Sequence, residues 1–230
     1  MLGLPKASVF EMRVPKNKII ETLPPRSRLK RLVTEQIDAI HWRHALSEES
    51  TRLPAGKTVR EIDVLEIVVR TPTLDRDVAL AVDSVFPRPT ILVITTPLER
   101  RLAMGYKEIR ARADRTPKAE ILAFFSTPLP DPDAPAIRLE GYDLDAARDN
   151  FLRQIAGDAL APFPPDLAIK ETLKRAKERD ALLKKIGALE NKIRREKQFN
   201  RQVELCDEKK KLERALDNLM STPNSGHSAS

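Results

Sequence analysis

The sequence predicts an α+β fold: a mainly antiparallel sheet with flanking helices, followed by a long C-terminal helix or helical hairpin/coiled coil. Three observations carry this. Runs of β-branched residues with a period near two recur between residues 37 and 126. Amphipathic stretches of helical period sit between them. No proline occurs between Pro165 and Pro223, and that interval carries an apolar stripe among many charges.

The first 25 residues hold Pro5, Pro15, Pro24 and Pro25 around Ile19, Ile20 and Leu23, which reads as an arm with one or two helical turns. Ser27 then precedes a short helix whose Leu29, Leu32 and Val33 share a face. From Ile37 the period changes to two, and both faces of that strand are partly apolar. Glu48 to Lys57, with Pro54 and Gly56, reads as a loop. Val59 to Val69 is the clearest strand, because its β-branched run is bounded by Thr71-Pro72. Asp75 to Phe86 fits a helix stopped by Pro87 and Pro89, and Thr90 to Thr96 fits a central strand. Arg101 to Glu108 and Glu120 to Ser126 supply two more strands, and the polar stretch between them is open to strand continuation or loop. The proline-rich stretch 127–135 leads to a helix over 143–156, with Asp143 or Asp145 as its cap. Adjacent strand runs on short connections favour antiparallel pairing with the helices on one side.

The domain reading is therefore an α+β head over 1–160, a proline-rich linker over 161–165, a helical stalk over 166–221 and a disordered tail over 222–230. An unbroken helix over the stalk would be about 84 Å long, more than a small head can cover. Leu182, Ile186, Leu189 and Ile193 recur at spacings of four, three and four, then the phase slips near Glu196 to Asn200, and Leu212 and Leu216 continue in another register. These residues, with Phe199 and Val203, are expected to bury at a helical interface with a partner or a second copy. Gly187 is a candidate bend.

The chain is 33% charged with a net charge of +7. Residues 166–221 hold 16 basic and 11 acidic groups, so the excess belongs to the stalk. Arg194, Arg195, Lys197, Arg201, Lys209, Lys210 and Lys211 are the candidates for contact with the DNA backbone; the competing reading is a solvated face of local ion pairs. No apolar run is long enough to span a membrane and the start lacks a secretory signal, so a cytoplasmic protein is expected.

Chemistry is sparse. Cys206 is alone, and His41 and His44 on a strand would face opposite ways, so no metal site is expected. Nucleotide-binding glycine loops and a nucleophile elbow are missing, and no small-molecule cofactor is expected. The enzymatic alternative is a Mg²⁺-dependent nuclease that holds the metal on strand carboxylates, with Glu61 and Asp63 on one face and Lys107 on a later strand. Glu66 points to the other face, where pairing with a basic residue is expected, and Val68 stands where a Glu-x-Lys motif would put its lysine.

Several fragments carry a family likeness: Leu4-Pro5-Lys6, Arg60-Glu61-Ile62-Asp63-Val64, Ala103-Met104-Gly105-Tyr106-Lys107, Leu139 to Leu144 and, above all, Glu196 to Leu205 with its Phe199-Asn200-Arg201 core. Together they resemble a bacterial family of unknown function encoded beside helicases and DNA methyltransferases in restriction-type defence loci. Cys206 departs from the asparagine usual there. The resemblance implies an antiviral-defence or restriction-modification setting, with a helicase or methyltransferase subunit as partner, and it supplies no catalytic residue. The expected function is a non-catalytic accessory or scaffolding subunit.

Overall fold

The computed structural model describes residues 2–112, 115–129 and 137–221. The chain divides into two compact units, residues 1–157 and 158–230.

The first unit is built on a six-stranded sheet whose spatial order follows the chain. Its strands are β1 (Val9–Val14), β2 (Ile37–Ser47), β3 (Glu61–Val69), β4 (Thr90–Thr95), β5 (Arg100–Arg112) and β6 (Arg115–Pro128). All neighbours pair antiparallel except β3 and β4, which run parallel with Asp63 opposite Thr90. A parallel pair needs a crossover, and α4 (Arg76–Val85) supplies it. The α+β, mainly antiparallel expectation therefore holds. The polar stretch between the last two strands continues both of them, as far as Arg112 and from Arg115.

Helices cover both faces of the sheet, not one side. On β5, Gly105 abuts Asp83 of α4, while the next residue, Tyr106, lies under Arg148 of α5 (Leu144–Ala156), 5.0 Å from the ring centre. Successive strand residues point to opposite faces, so the two helices sit on opposite sides. One core joins Ile40, Leu65, Ile67, Leu92 and Ile94 to Val78, Val82 and Phe86 of α4 and to Val33 of α2 (Arg28–Gln36). Ile62, Val64 and Ile91, of opposite parity, are buried as well. The physical reason is visible in β3 and β4: continuous apolar runs must be covered twice.

The expected helical turn around Ile19 and Ile20 is the short α1 (Asn17–Ile20), which buries Ile19, and the arm adds strand β1 before it. The expected loop after β2 begins with a helical turn, α3 (Glu48–Thr51), whose start is a reciprocal Ser47–Ser50 capping box. Caps otherwise fall as the sequence suggests. Ser27 accepts from the Lys30 amide at 3.2 Å, Asp75 from the Asp77 amide at 2.9 Å, and Asp143 from the Ala146 amide at 2.8 Å. Asp145 does a different task, accepting from the backbone amides of Thr58 and Val59 at 3.1 and 3.0 Å and so tying the segment before β3 to the head of α5.

The second unit contains two long helices, α6 (Ile169–Arg195) and α7 (Phe199–Ser221). Lys209 of α7 reaches Glu190 of α6 at 2.9 Å and Gln202 reaches the Ile193 carbonyl at 3.4 Å, so α7 folds back antiparallel on α6. The stalk is a hairpin, and its bend lies at residues 196–198, where the hydrophobic phase slips. Gly187 is inside α6 and bends nothing. Of the expected linker residues 161–165, Phe163 is buried under the Arg179 guanidinium, 5.6 Å from its ring centre, and the other four are exposed. The expected tail, 222–230, and most of the proline-rich stretch, 130–135, lie outside the described residues.

Candidate functional site

Two groups of residues in separate units carry the charge chemistry. The first lies in the sheet. Strand alternation puts Glu61 and Asp63 on the α4 face of β3, and Lys107 comes to the same face from β5, so the three nuclease candidates converge. Their partners are the surprise. Arg88, between the two prolines that follow α4, donates from one nitrogen to both carboxylates, to Glu61 closely and to Asp63 at 3.3 Å. Lys107 is buried, with its ammonium 2.7 Å from Asp83 and donating to the carbonyls of Phe86 and Arg88 at 2.9 and 2.8 Å and to the Thr90 hydroxyl at 3.0 Å.

Asp63 is only 1% exposed. Burial is the main cause that pushes its carboxyl up to about 7. The Arg88 guanidinium pulls the other way, and Glu61 adds like-charge repulsion and a hydrogen bond. Burial likewise raises Asp83 to about 6 against the pull of Lys107, and it lowers Lys107. This set is an internally neutralised cluster. The lysine's three donors are taken, and a cation at Glu61 and Asp63 would have to displace Arg88.

Sequence reasoning missed Asp83, Arg88 and Thr90. Asp83 left a usable signal: a carboxylate inside the apolar stripe of α4, between Val82 and Val85, needs a buried cation.

On the other face Glu66 pairs with Arg43, Nε and Nη2 to Oε2 at 2.8 and 2.6 Å, as expected of a buried-strand carboxylate, and accepts from Thr95 at 3.2 Å. The histidines are corrected. An extra residue at Arg43 bulges β2, so His41 stands opposite Glu66 and His44 opposite Val64, two positions on one face of β3. His44 is held by the Ser8 hydroxyl at 3.0 Å. Among the described residues no three His, Cys, Asp or Glu side chains group as metal ligands.

The second group is the bend of the hairpin. Glu196 organises it: one carboxylate oxygen accepts from the amides of Lys197 and Gln198, both at 2.9 Å, which satisfies donors entering α7. The residue at which the hydrophobic phase slips is thus the turn's anchor. Ile186 and Leu189 are buried, and Leu182, Ile193, Leu212 and Leu216 are half-buried. Phe199 is 74% exposed and Val203, one turn along the same face of α7, is also exposed.

Of the basic candidates, Lys209 is committed to Glu190 and Glu213 at 2.9 and 3.3 Å, Lys210 lies 3.8 Å from Asp207, and Arg201 lies 3.7 Å from Glu196. Arg194, Arg195, Lys197 and Lys211 are exposed and form no salt bridge among the described residues. Residues 190–201 hold five basic and two acidic groups, and both acids, Glu190 and Glu196, already face cations.

The molecule is thus defined as a mixed-sheet α+β protein with a cluster of mutually paired charges in the first unit, in which the side chains of Asp63, Asp83 and Lys107 are buried, and a basic helical hairpin in the second. No described helix is long and apolar enough to cross a membrane. The chain belongs to the family described as Domain of unknown function (DUF4391), whose profile matches residues 2–216. No curated protein and no solved structure matches it.

Proposed function

We propose that this protein is a non-catalytic accessory subunit of a DNA-targeting defence assembly, and that its hairpin bend is the part that meets nucleic acid. The observation that carries this reading is the juxtaposition of Arg194, Arg195 and Lys197, free of ion pairs among the described residues, with the 74%-exposed ring of Phe199. Exposed cations that form no salt bridge attract phosphates, and an exposed aromatic beside them offers a stacking surface that every base can use. The family resemblance supports a helicase or methyltransferase subunit as company.

The test is binding of the full chain to labelled single-stranded and duplex DNA across a salt series. Affinity should fall steeply with salt and show little dependence on sequence, since the contacts are to backbone charge. The R194E/R195E/K197E variant should lose binding without changing the melting curve. Failure to bind at low salt, or binding indifferent to salt, overturns the reading.

The convergence of Glu61, Asp63 and Lys107 favours a second reading, a Mg²⁺-dependent nuclease-like subunit. It requires Arg88 and Asp83 to release their partners when metal binds. Cleavage of DNA with Mg²⁺ or Mn²⁺ that vanishes in Glu61→Ala and Asp63→Ala would establish it; uncut DNA under both metals leaves the accessory reading standing.

A further inference from the structure

Strand β1 is the edge of the sheet, with β2 on one side and no strand on the other among the described residues. Five of its six residues are exposed. Three of them are large and apolar: Val9, Phe10 and Met12 are 53%, 44% and 45% exposed. Phe10 is fixed rather than loose, packed edge-on against Trp42 with ring centres 5.1 Å apart. Pairing with β2 is irregular between Val9 and Met12, yet Phe10 packs on Trp42, the partner of Met12, while Glu11 reaches Arg43. The alternation therefore runs through residues 10–14, and the exposed edge is a template for another strand.

The sequence of the edge selects the occupant. In an antiparallel pair, opposite residues share a face, so two copies related by a twofold axis perpendicular to the sheet must meet with a residue on the axis opposite itself. An axis at Glu11 sets two glutamates against each other, and an axis at Arg13 sets two arginines. An axis at Met12 places Glu11 opposite Arg13 of the second copy and Arg13 opposite its Glu11, with Phe10 against Val14 on the other face. Arg13 forms no salt bridge among the described residues. Glu11 is largely exposed, and among the described residues its one salt bridge is to Arg43, at 3.6 Å.

We propose that two copies of this chain join through β1 in the Met12-centred register, which extends the sheet across a twofold axis and uses residues 10–14 of each edge. The pairing combines backbone hydrogen bonds, two reciprocal ion pairs and the covering of Phe10 and Met12.

Light scattering coupled to size exclusion on the full chain tests this. The wild type should run at twice the chain mass. Arg13→Glu opposes glutamates and Glu11→Lys opposes cations, so each variant alone should fall to the chain mass. Mixed one to one, the two variants restore both ion pairs and should return to twice the chain mass, a rescue that misfolding cannot produce. Met12→Lys, which sets two ammonium groups together on the axis, should also give the single-chain mass. A wild type at the chain mass, a charge variant or Met12→Lys that stays double, or a mixture that stays single overturns the proposal.

Discussion

Lys107 and Asp83 form an ion pair 2.7 Å long with both side chains buried, and the missing side chain of Gly105 makes room for it. A Cβ on Gly105 would collide with Asp83 Oδ2 and come within 3.1 Å of Ile121. Because α4 packs here on the sheet, neither neighbour can move without shifting core.

Gly105→Ala should therefore destabilise the chain by about 2 kcal/mol, the usual range for overpacking. Lys107→Met should cost more, about 3 to 5 kcal/mol, because it strands a carboxylate without its cation. Adding Asp83→Asn to Lys107→Met should recover much of that loss. Urea unfolding of the two single variants and the double variant measures the coupling, and strict additivity would show that the pair does not act as a unit.

Asp63 and Asp83, both raised by burial, shape the pH response of the sheet, and Asp63 governs its upper part. Its folded carboxyl titrates near 7 against an ordinary 3.8, so the folded state holds the proton more tightly. Its stabilising contribution is then complete below about pH 4 and is lost as pH rises through 7. Asp63→Asn, which keeps an acceptor for Arg88 but cannot ionise, should flatten this part of the profile and raise the melting temperature at pH 8 by several degrees relative to wild type. Melting curves from pH 5 to 8 check it, and an unchanged slope would place the titration elsewhere.

Asp145 couples the two ends of the head. It receives hydrogen bonds from the Thr58 and Val59 amides, and Gly56 lies so close that a Cβ there would sit 2.7 Å from the Asp145 backbone nitrogen. Burial would raise its carboxyl, but the Thr58 hydrogen bonds and Arg148 prevail and hold it below the ordinary value. Asp145→Ala should cost about 1 to 3 kcal/mol by leaving those amides without an acceptor. Hydrogen exchange at residues 58 and 59 should quicken before exchange in the centre of β3.

Stability and binding should separate on the hairpin. Ile186→Ala and Leu189→Ala remove buried side chains and should each cost about 2 to 4 kcal/mol, read as lost helicity on heating. Phe199→Ala should leave the melt nearly unchanged, because the ring is mostly in water, yet weaken single-stranded DNA binding several-fold. Equal affinities for wild type and Phe199→Ala would remove the ring from the interface.

Elements whose signals are local could be read directly from the residues. The β-branched run of β3, the helical stretch of α4, the Asp143 cap of α5 and the proline-free helical stretch all reappear at or near the expected residues. Each follows from periodicity and capping, which act over a few residues. The phase slip near Glu196 even marked the bend of the hairpin.

The remaining features depend on long-range contacts. Strand β1 is short, exposed and flanked by prolines, so it has no inward-outward pattern to read; its strand state comes from pairing with β2. Arg88 and Asp83 join Glu61, Asp63 and Lys107 because the crossover returns the chain beside β3 and the long β5 reaches the same face. That meeting depends on which strands are neighbours. Charge partners far apart in the chain leave no periodic trace, since their attraction is set by distance in space and by burial, both products of the completed fold.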